Sequence, residues 1–126
     1  MIDFKDSRFI ITDKKSTSMV PKNIQGMLND DEQVVEFYVA DRFPVPSEVF
    51  FTSKRIIICT YEEPNFPIFT FLPYSKFIAF SAKNSNDYSM ENELELYNYY
   101  VDKIAFEFPG KYDLSLVIKL IGNSIV

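Results

Sequence analysis

From Gln33 onward, the chain alternates between apolar stretches of strand length and short clusters of polar residues or proline. Regular spacing of this kind is typical of antiparallel sandwiches and barrels. The 13 Phe and 8 Tyr among 126 residues agree with a β-rich fold, because aromatic side chains favour strands over helices. The pattern predicts seven strands, at residues 33–40, 47–52, 55–61, 66–72, 76–82, 91–97 and 101–108.

The clusters between these strands have the composition of turns and loops. Residues 41–46 contain two prolines, which cannot donate hydrogen bonds inside a sheet. Ser53 and Lys54 separate two apolar stretches at the spacing of a tight hairpin. Residues 62–65 close the next hairpin, and the polar residues 84–89 are expected to form an exposed loop. These connections support the count of seven strands.

A C-terminal helix is predicted where the apolar period changes from two residues to 3.6. Asp113 precedes this segment, and its carboxylate is placed to accept a hydrogen bond from the first helical turn. Gly122 costs the helix about 1 kcal/mol relative to alanine. The residues that form its apolar stripe are Leu114, Val117, Ile118, Ile121 and Ile125.

The N-terminal part of the chain is less regular. Residues 8–12 have the composition of a strand, and residues 21–28 resemble a short helix with proline near its start. We therefore expect residues 1–30 to form a partly ordered extension that docks on a domain of residues 31–126 or on a neighbouring molecule. The first six residues carry charges and precede no apolar signal region, so we expect a soluble, cytoplasmic protein.

Several short motifs resemble those of the bacterial pleckstrin-homology-like domain family. Residues 51–58 (FTSKRIII) are similar to the stretch that joins the second and third strands in that family. Residues 31–35, 73–78 and 93–96 match further family motifs in the same order, and the resemblance covers residues 28–126. It implies a seven-stranded bent antiparallel barrel capped by the C-terminal amphipathic helix.

The same resemblance carries expectations about function. Members of this family are small bacterial proteins of mostly unassigned function, and some form ring-like homo-oligomers. The sequence departs from the family pattern at residues 62–67, where a more glycine-rich turn is expected, and in the first hairpin loop, which holds a single base.

Charge limits the class of ligand. With 13 basic and 18 acidic residues, the net charge is −5, which argues against nucleic acid and disfavours an acidic membrane surface. Arg42, Lys54 and Arg55 are the candidate anion or lipid contacts, but a headgroup site needs several converging bases. Because Arg42 is the only base of its loop, we favour a structural role for Lys54 and Arg55 in the hairpin turn.

No catalytic, cofactor or metal site is predicted. Glu91, Glu93 and Glu95 alternate on one strand face and could hold Ca²⁺ or Mg²⁺, but a solvated face partly neutralised by Lys103 is favoured. The chain contains no histidine, and its one cysteine, Cys59, lies among apolar residues where a thiol is usually buried. We therefore expect a protein that is not an enzyme.

The C-terminal helix has more apolar residues than a barrel cap requires. Leu116 and Leu120 widen its stripe, which indicates a second contact, and Leu116, Leu120 and Ile121 are the candidate interface residues. Either the N-terminal extension or another subunit covers this surface. The sequence thus favours a non-catalytic module that self-associates into a homo-oligomer or binds another protein, with lipid or anion binding as the alternative.

Overall fold

The computed structural model describes residues 6–40, 46–63, 65–85, 87–98 and 102–125. The strands within these ranges are β1 (Asp6–Lys15), β2 (Val34–Ala40), β3 (Ser47–Thr52), β4 (Arg55–Glu63), β5 (Phe66–Pro73), β6 (Ala79–Lys83), β7 (Asn92–Tyr97) and β8 (Lys103–Phe108). The α-helices are α1 (Lys22–Gln25) and α2 (Ser115–Ile125), and short 3-10 helices span Thr17–Met19 and Tyr74–Lys76. None of the helices in these ranges is long and apolar enough to cross a bilayer.

All eight strands belong to one curled sheet, in the order β5-β4-β3-β2-β1-β8-β7-β6. Neighbouring strands are antiparallel, except that β1 and β8 run parallel. The sheet therefore ends at two edge strands, β5 and β6.

A mainly β fold with a C-terminal helix is confirmed, but the predicted number of strands is wrong. The seven predicted strands correspond to β2 through β8, and residues 6–15 add an eighth. The strand predicted at residues 76–82 begins only at Ala79, because Tyr74–Lys76 form a 3-10 helix after Pro73.

Strand β1 lies in the middle of the sheet. Phe9 pairs with Phe106 of β8, and Ile11 pairs with Ala40 of β2. The rings of Phe9 and Phe106 stack with centroids 5.4 Å apart. Ser7, Phe9 and Ile11 are buried, so the alternation of a strand is present but lasts only five residues. The division into an extension of residues 1–30 and a domain of residues 31–126 stays a prediction about independent folding.

The main core fills the concave side of the sheet and is closed by α2. Tyr38 packs edge-on against Phe51 and Phe108, at centroid distances of 5.8 and 5.1 Å. Of the predicted apolar stripe, Leu114, Val117 and Ile121 are buried in this core, and Ile118 is partly buried against it. The Asp113 carboxylate accepts a hydrogen bond of 3.0 Å from the backbone N–H of Ser115, as expected for a residue that stabilises the start of the helix.

A second core covers the convex face of β2–β5. Val20 and Ile24, from the segment that includes the 3-10 turn and α1, pack there against buried residues of the sheet. Residues 17–33, which follow β1 and are called the N-terminal segment below, therefore pack on the sheet rather than on α2. The sheet residues in this second core are Phe37, Phe50, Ile57 and Cys59.

Candidate functional site

The turn between β3 and β4 binds the end of the N-terminal segment. Ser53 exchanges hydrogen bonds with Gln33: its backbone N–H donates to the Gln33 carbonyl at 2.9 Å, and its hydroxyl accepts from the Gln33 N–H. The Lys54 ammonium lies 2.6 Å from the Asp31 carboxylate. Each side chain of residues 52–55 forms a hydrogen bond or ion pair with residues 27–33.

Arg55 and Glu32 form the buried part of this contact. The Arg55 guanidinium donates to both Glu32 carboxylate oxygens at 3.0 and 3.1 Å, and to the Met27 carbonyl at 2.9 Å. Burial alone would raise the pKa of Glu32, but hydrogen bonds from Thr52, from the Asn29 backbone and from Arg55 outweigh it and lower that pKa. The pair therefore remains ionised and ties the N-terminal segment to the sheet.

Two of the three basic residues predicted to contact an anion already form ion pairs within the chain. Lys54 and Arg55 are joined to Asp31 and Glu32, and the hydrogen bond from Lys54 lowers the pKa of Asp31. Arg42 lies outside the described residues. Binding of an anion or lipid at these bases stays a prediction, and such a ligand would have to compete with two internal carboxylates.

The three candidate interface residues of α2 have different environments. Leu116 is 51% exposed, whereas Leu120 is half-buried and packs against the main core. Ile121 is fully buried, so it supports α2 from inside and does not reach the surface. Helical periodicity placed all three in one apolar arc, but only Leu116 and part of Leu120 face outward.

The three acidic residues predicted to share one strand face, Glu91, Glu93 and Glu95, are divided between two groups of contacts. Glu95 pairs with Lys103 at 3.3 Å, and a hydrogen bond from the Tyr97 hydroxyl, followed by Lys103, lowers the pKa of Glu95. Glu91 and Glu93 instead approach Glu107, with carboxylate oxygens within 4.8 Å of one another. Sequence reasoning missed Glu107 because it lies on β8, opposite Glu93.

Arg8 reduces the negative charge of this acidic group. It forms an ion pair with Glu107 across the parallel β1–β8 contact. Glu91 is exposed, and Glu93 and Glu107 are half-buried. A solvated acidic face explains the arrangement, and we assign it no ligand.

A pocket of about 190 Å³ lies beside the connection from β5 to β6, and we call it the connector pocket. It brings together the end of β5, the connection itself, Asn98 after β7, and Asp102 and Ile104 near the start of β8. No sequence motif indicated it, because its residues come from separate parts of the chain. They are Phe71, Leu72, Pro73, Lys76, Phe77, Asn98, Asp102 and Ile104.

Comparison with known proteins identifies the fold. No family model and no curated protein matches the sequence. Among solved structures, a DUF1696 family protein with a pleckstrin-homology domain from Shewanella loihica PV-4 is similar, with a TM-score of 0.71 and 20% identity. The match covers 90% of this chain and 96% of that chain.

A pleckstrin-homology domain from Shewanella amazonensis SB2B is also similar. It has a TM-score of 0.61 and 17% identity, and the match covers 89% of this chain and 90% of that one. Both neighbours are bacterial pleckstrin-homology proteins, which confirms the resemblance inferred from the motifs. At these identities the comparison establishes the fold, and function has to be argued from this chain's own residues.

Proposed function

We propose that this chain is a non-catalytic cytoplasmic module that assembles into a homo-oligomer through the exposed face of α2. A pleckstrin-homology-like fold is consistent with an interaction module. The chemistry of the chain is consistent with a role outside catalysis, since there is no histidine and burial raises the pKa of the Cys59 thiol.

The exposure of Leu116 is the observation that supports this proposal. An apolar side chain that is 51% exposed on a core helix leaves surface that association would bury. Val20 and Ile24 take the N-terminal segment to the convex face of β2–β5 instead. The sequence left two candidates for covering the apolar surface of α2, the N-terminal segment and a second subunit. The position of Val20 and Ile24 favours the second subunit.

The expected interface is larger than Leu116 alone. Burial of apolar surface contributes about 25 cal/mol per Å², and association must first offset lost translational and rotational freedom. Stable interfaces bury about 800 Å² on each partner, so the contact extends from Leu116 over neighbouring exposed residues of α2. Leu116 is the central apolar anchor in this proposal, with the exposed part of Leu120 beside it.

Light scattering on the full-length chain tests the proposal. We expect a discrete multiple of the 14.7 kDa chain mass for the unmodified protein, and a lower mass for Leu116→Asp. Met19→Asp is the matched control, because Met19 is 60% exposed but lies on the N-terminal segment. Leu120 is left unchanged, since it packs against the main core and its loss would also affect folding.

Two outcomes would contradict the proposal. One is a monomeric mass for the unmodified chain at all accessible concentrations. The other is an unchanged multimer in Leu116→Asp. Circular dichroism of each variant shows whether a change in mass reflects lost assembly or lost folding.

A further inference from the structure

The connector pocket has an apolar interior built from core residues. Leu72, Phe77 and Ile104 are buried members of the main core, so the floor of the pocket is fixed by packing. Phe71 and Pro73, at the end of β5, complete the apolar lining. A pre-formed wall of this kind is what small-molecule sites usually offer, with few polar groups at the rim.

The volume of the pocket sets the size of its ligand. An apolar cavity of about 150 Å³ is large enough to hold benzene. The connector pocket, at about 190 Å³, is therefore suited to one six-membered ring or one short branched chain. A long acyl chain or a fused ring system would not be enclosed.

The rim carries one cation that is available to a ligand. Lys76 is exposed, and it forms no ion pair with any carboxylate of the described residues. Asp102, the other charged residue of the rim, is tied into the β7–β8 hairpin. Its backbone N–H donates to the Asn98 side-chain oxygen at 3.0 Å, and its carboxylate accepts from the Asn98 amide. The Asn98 amide is neutral and leaves the charge of the Asp102 carboxylate in place, so of the two charged rim groups the Lys76 ammonium is the exposed one and the one that can attract an anion.

We infer that the connector pocket binds a small organic carboxylate, with a single ring or short branched chain against Leu72, Phe77 and Ile104 and its carboxylate paired with Lys76. The apolar lining supplies the affinity for the ring by removing it from water. The ammonium supplies the preference for an anion, since an opposite charge at the rim complements it. None of the residues that line the pocket belongs to α2, although α2 contacts the 3-10 helix that carries Lys76.

Three probes with the same phenyl ring separate these two contributions. The full-length chain is titrated with 3-phenylpropionate, phenylalanine and 2-phenylethylamine, and amide chemical shifts are followed by NMR. We expect saturable shifts at the residues other than proline that line the pocket, at positions 71, 72, 76, 77, 98, 102 and 104. The expected order of affinity is 3-phenylpropionate first, phenylalanine second and 2-phenylethylamine last. Absence of saturable shifts with all three probes would overturn the inferred site.

Reversal of the rim charge tests the role of Lys76. Lys76→Glu is expected to weaken 3-phenylpropionate binding by about two- to fivefold, which is the range of an exposed ion pair. Lys83→Glu is the matched control, because Lys83 is also exposed but lies at the end of β6 farthest from the connection that carries Lys76. An equal effect of both variants, or tighter binding of 2-phenylethylamine to the unmodified chain, would show that Lys76 does not recognise the ligand.

Discussion

At the scale of single residues, Gly110 shows how closely a loop can approach the core. A Cβ atom at this position would clash with the Met90 carbonyl oxygen and would lie 2.9 Å from that of Asp87. Both contacts are with backbone, which cannot rotate away as a side chain does. The loop before β7 therefore packs directly on Gly110.

Gly110→Ala is expected to destabilise the protein by about 2 kcal/mol or more, because the loop before β7 must move to accept the added methyl group. Urea unfolding followed by circular dichroism measures the change. Retention of the midpoint of the unmodified protein would contradict the close approach of Met90 to Gly110.

Gly122→Ala is the control for this prediction, with the same change and the opposite expected sign. A Cβ at Gly122 meets the Phe80 ring at 3.7 Å, an ordinary van der Waals contact. Because Gly122 lies within α2, alanine should stabilise the protein by about 0.5–1 kcal/mol through helix propensity.

Arg55 is the second residue whose loss should have a large effect. Arg55→Ala leaves the Glu32 carboxylate buried without its cation, and we expect a cost of about 3 kcal/mol. Lys54→Ala, one position away, removes an exposed ion pair and should change the unfolding midpoint little. Similar midpoints for the two variants would contradict the structural role assigned to Arg55.

These contacts also show where sequence reasoning stops at the residue scale. The motif predicted a hairpin turn, and Ser53 and Lys54 do connect β3 and β4. Their partners could not be predicted, because Asp31 and Glu32 are brought to the turn by the path of the N-terminal segment. Likewise, Ile121 belongs to the predicted apolar stripe and Leu116 widens that stripe into one arc, and only packing against the sheet distinguishes the buried residue from the exposed one.

At the scale of secondary structure, the strands with long apolar alternation could be predicted and β1 could not be fully recognised. Strands β2–β4 have extended apolar runs, and the register of β3 with β4 follows from the two-residue turn that joins them. In β1 the alternation ends at Ile11, where the register with β2 shifts. Its pairing with β8 joins the two ends of the chain, which local pattern does not reveal. The connector pocket was missed for the same reason, since tertiary contacts alone assemble it.

Removal of residues 1–30 is expected to abolish cooperative folding. The shortened chain would lack the strand between β2 and β8 and the cover of the second core. Removal of residues 1–5 alone leaves β1 complete and is the control. Thermal unfolding by circular dichroism measures both. A cooperative transition in the chain of residues 31–126 would support its prediction as an independent domain.

At the scale of the whole molecule, the absence of histidine determines how stability depends on pH. The chain has no histidine, the side chain that ordinarily titrates near neutral pH. Several carboxylates have lowered pKa values, because donors in the folded protein form hydrogen bonds with their charged forms. For Glu32, these hydrogen bonds act against burial. The carboxylates with lowered pKa values are Asp31, Glu32, Asp87, Glu95 and Asp113.

The free energy of unfolding is therefore expected to be nearly constant from about pH 6 to 8 and to fall below about pH 4. A carboxylate whose folded pKa is lowered stabilises the protein above its unfolded pKa. That contribution is lost as the pH falls through the folded pKa. Urea unfolding at a series of pH values measures the curve, and a steep change between pH 6 and 8 would contradict it.

The parallel contact between β1 and β8 has a consequence for how the protein is made. Arg8 and Glu107, which pair across this contact, are 99 residues apart in the chain. A ribosome therefore releases β1 first, and its second partner, β8, emerges only after the intervening strands β2–β7 have been synthesised. Until then, one side of β1 can pair with β2 while its other side has open hydrogen-bonding groups. Completion of the sheet has to await the C-terminal part of the chain, so the finished fold forms late, as expected for proteins with contacts between distant residues.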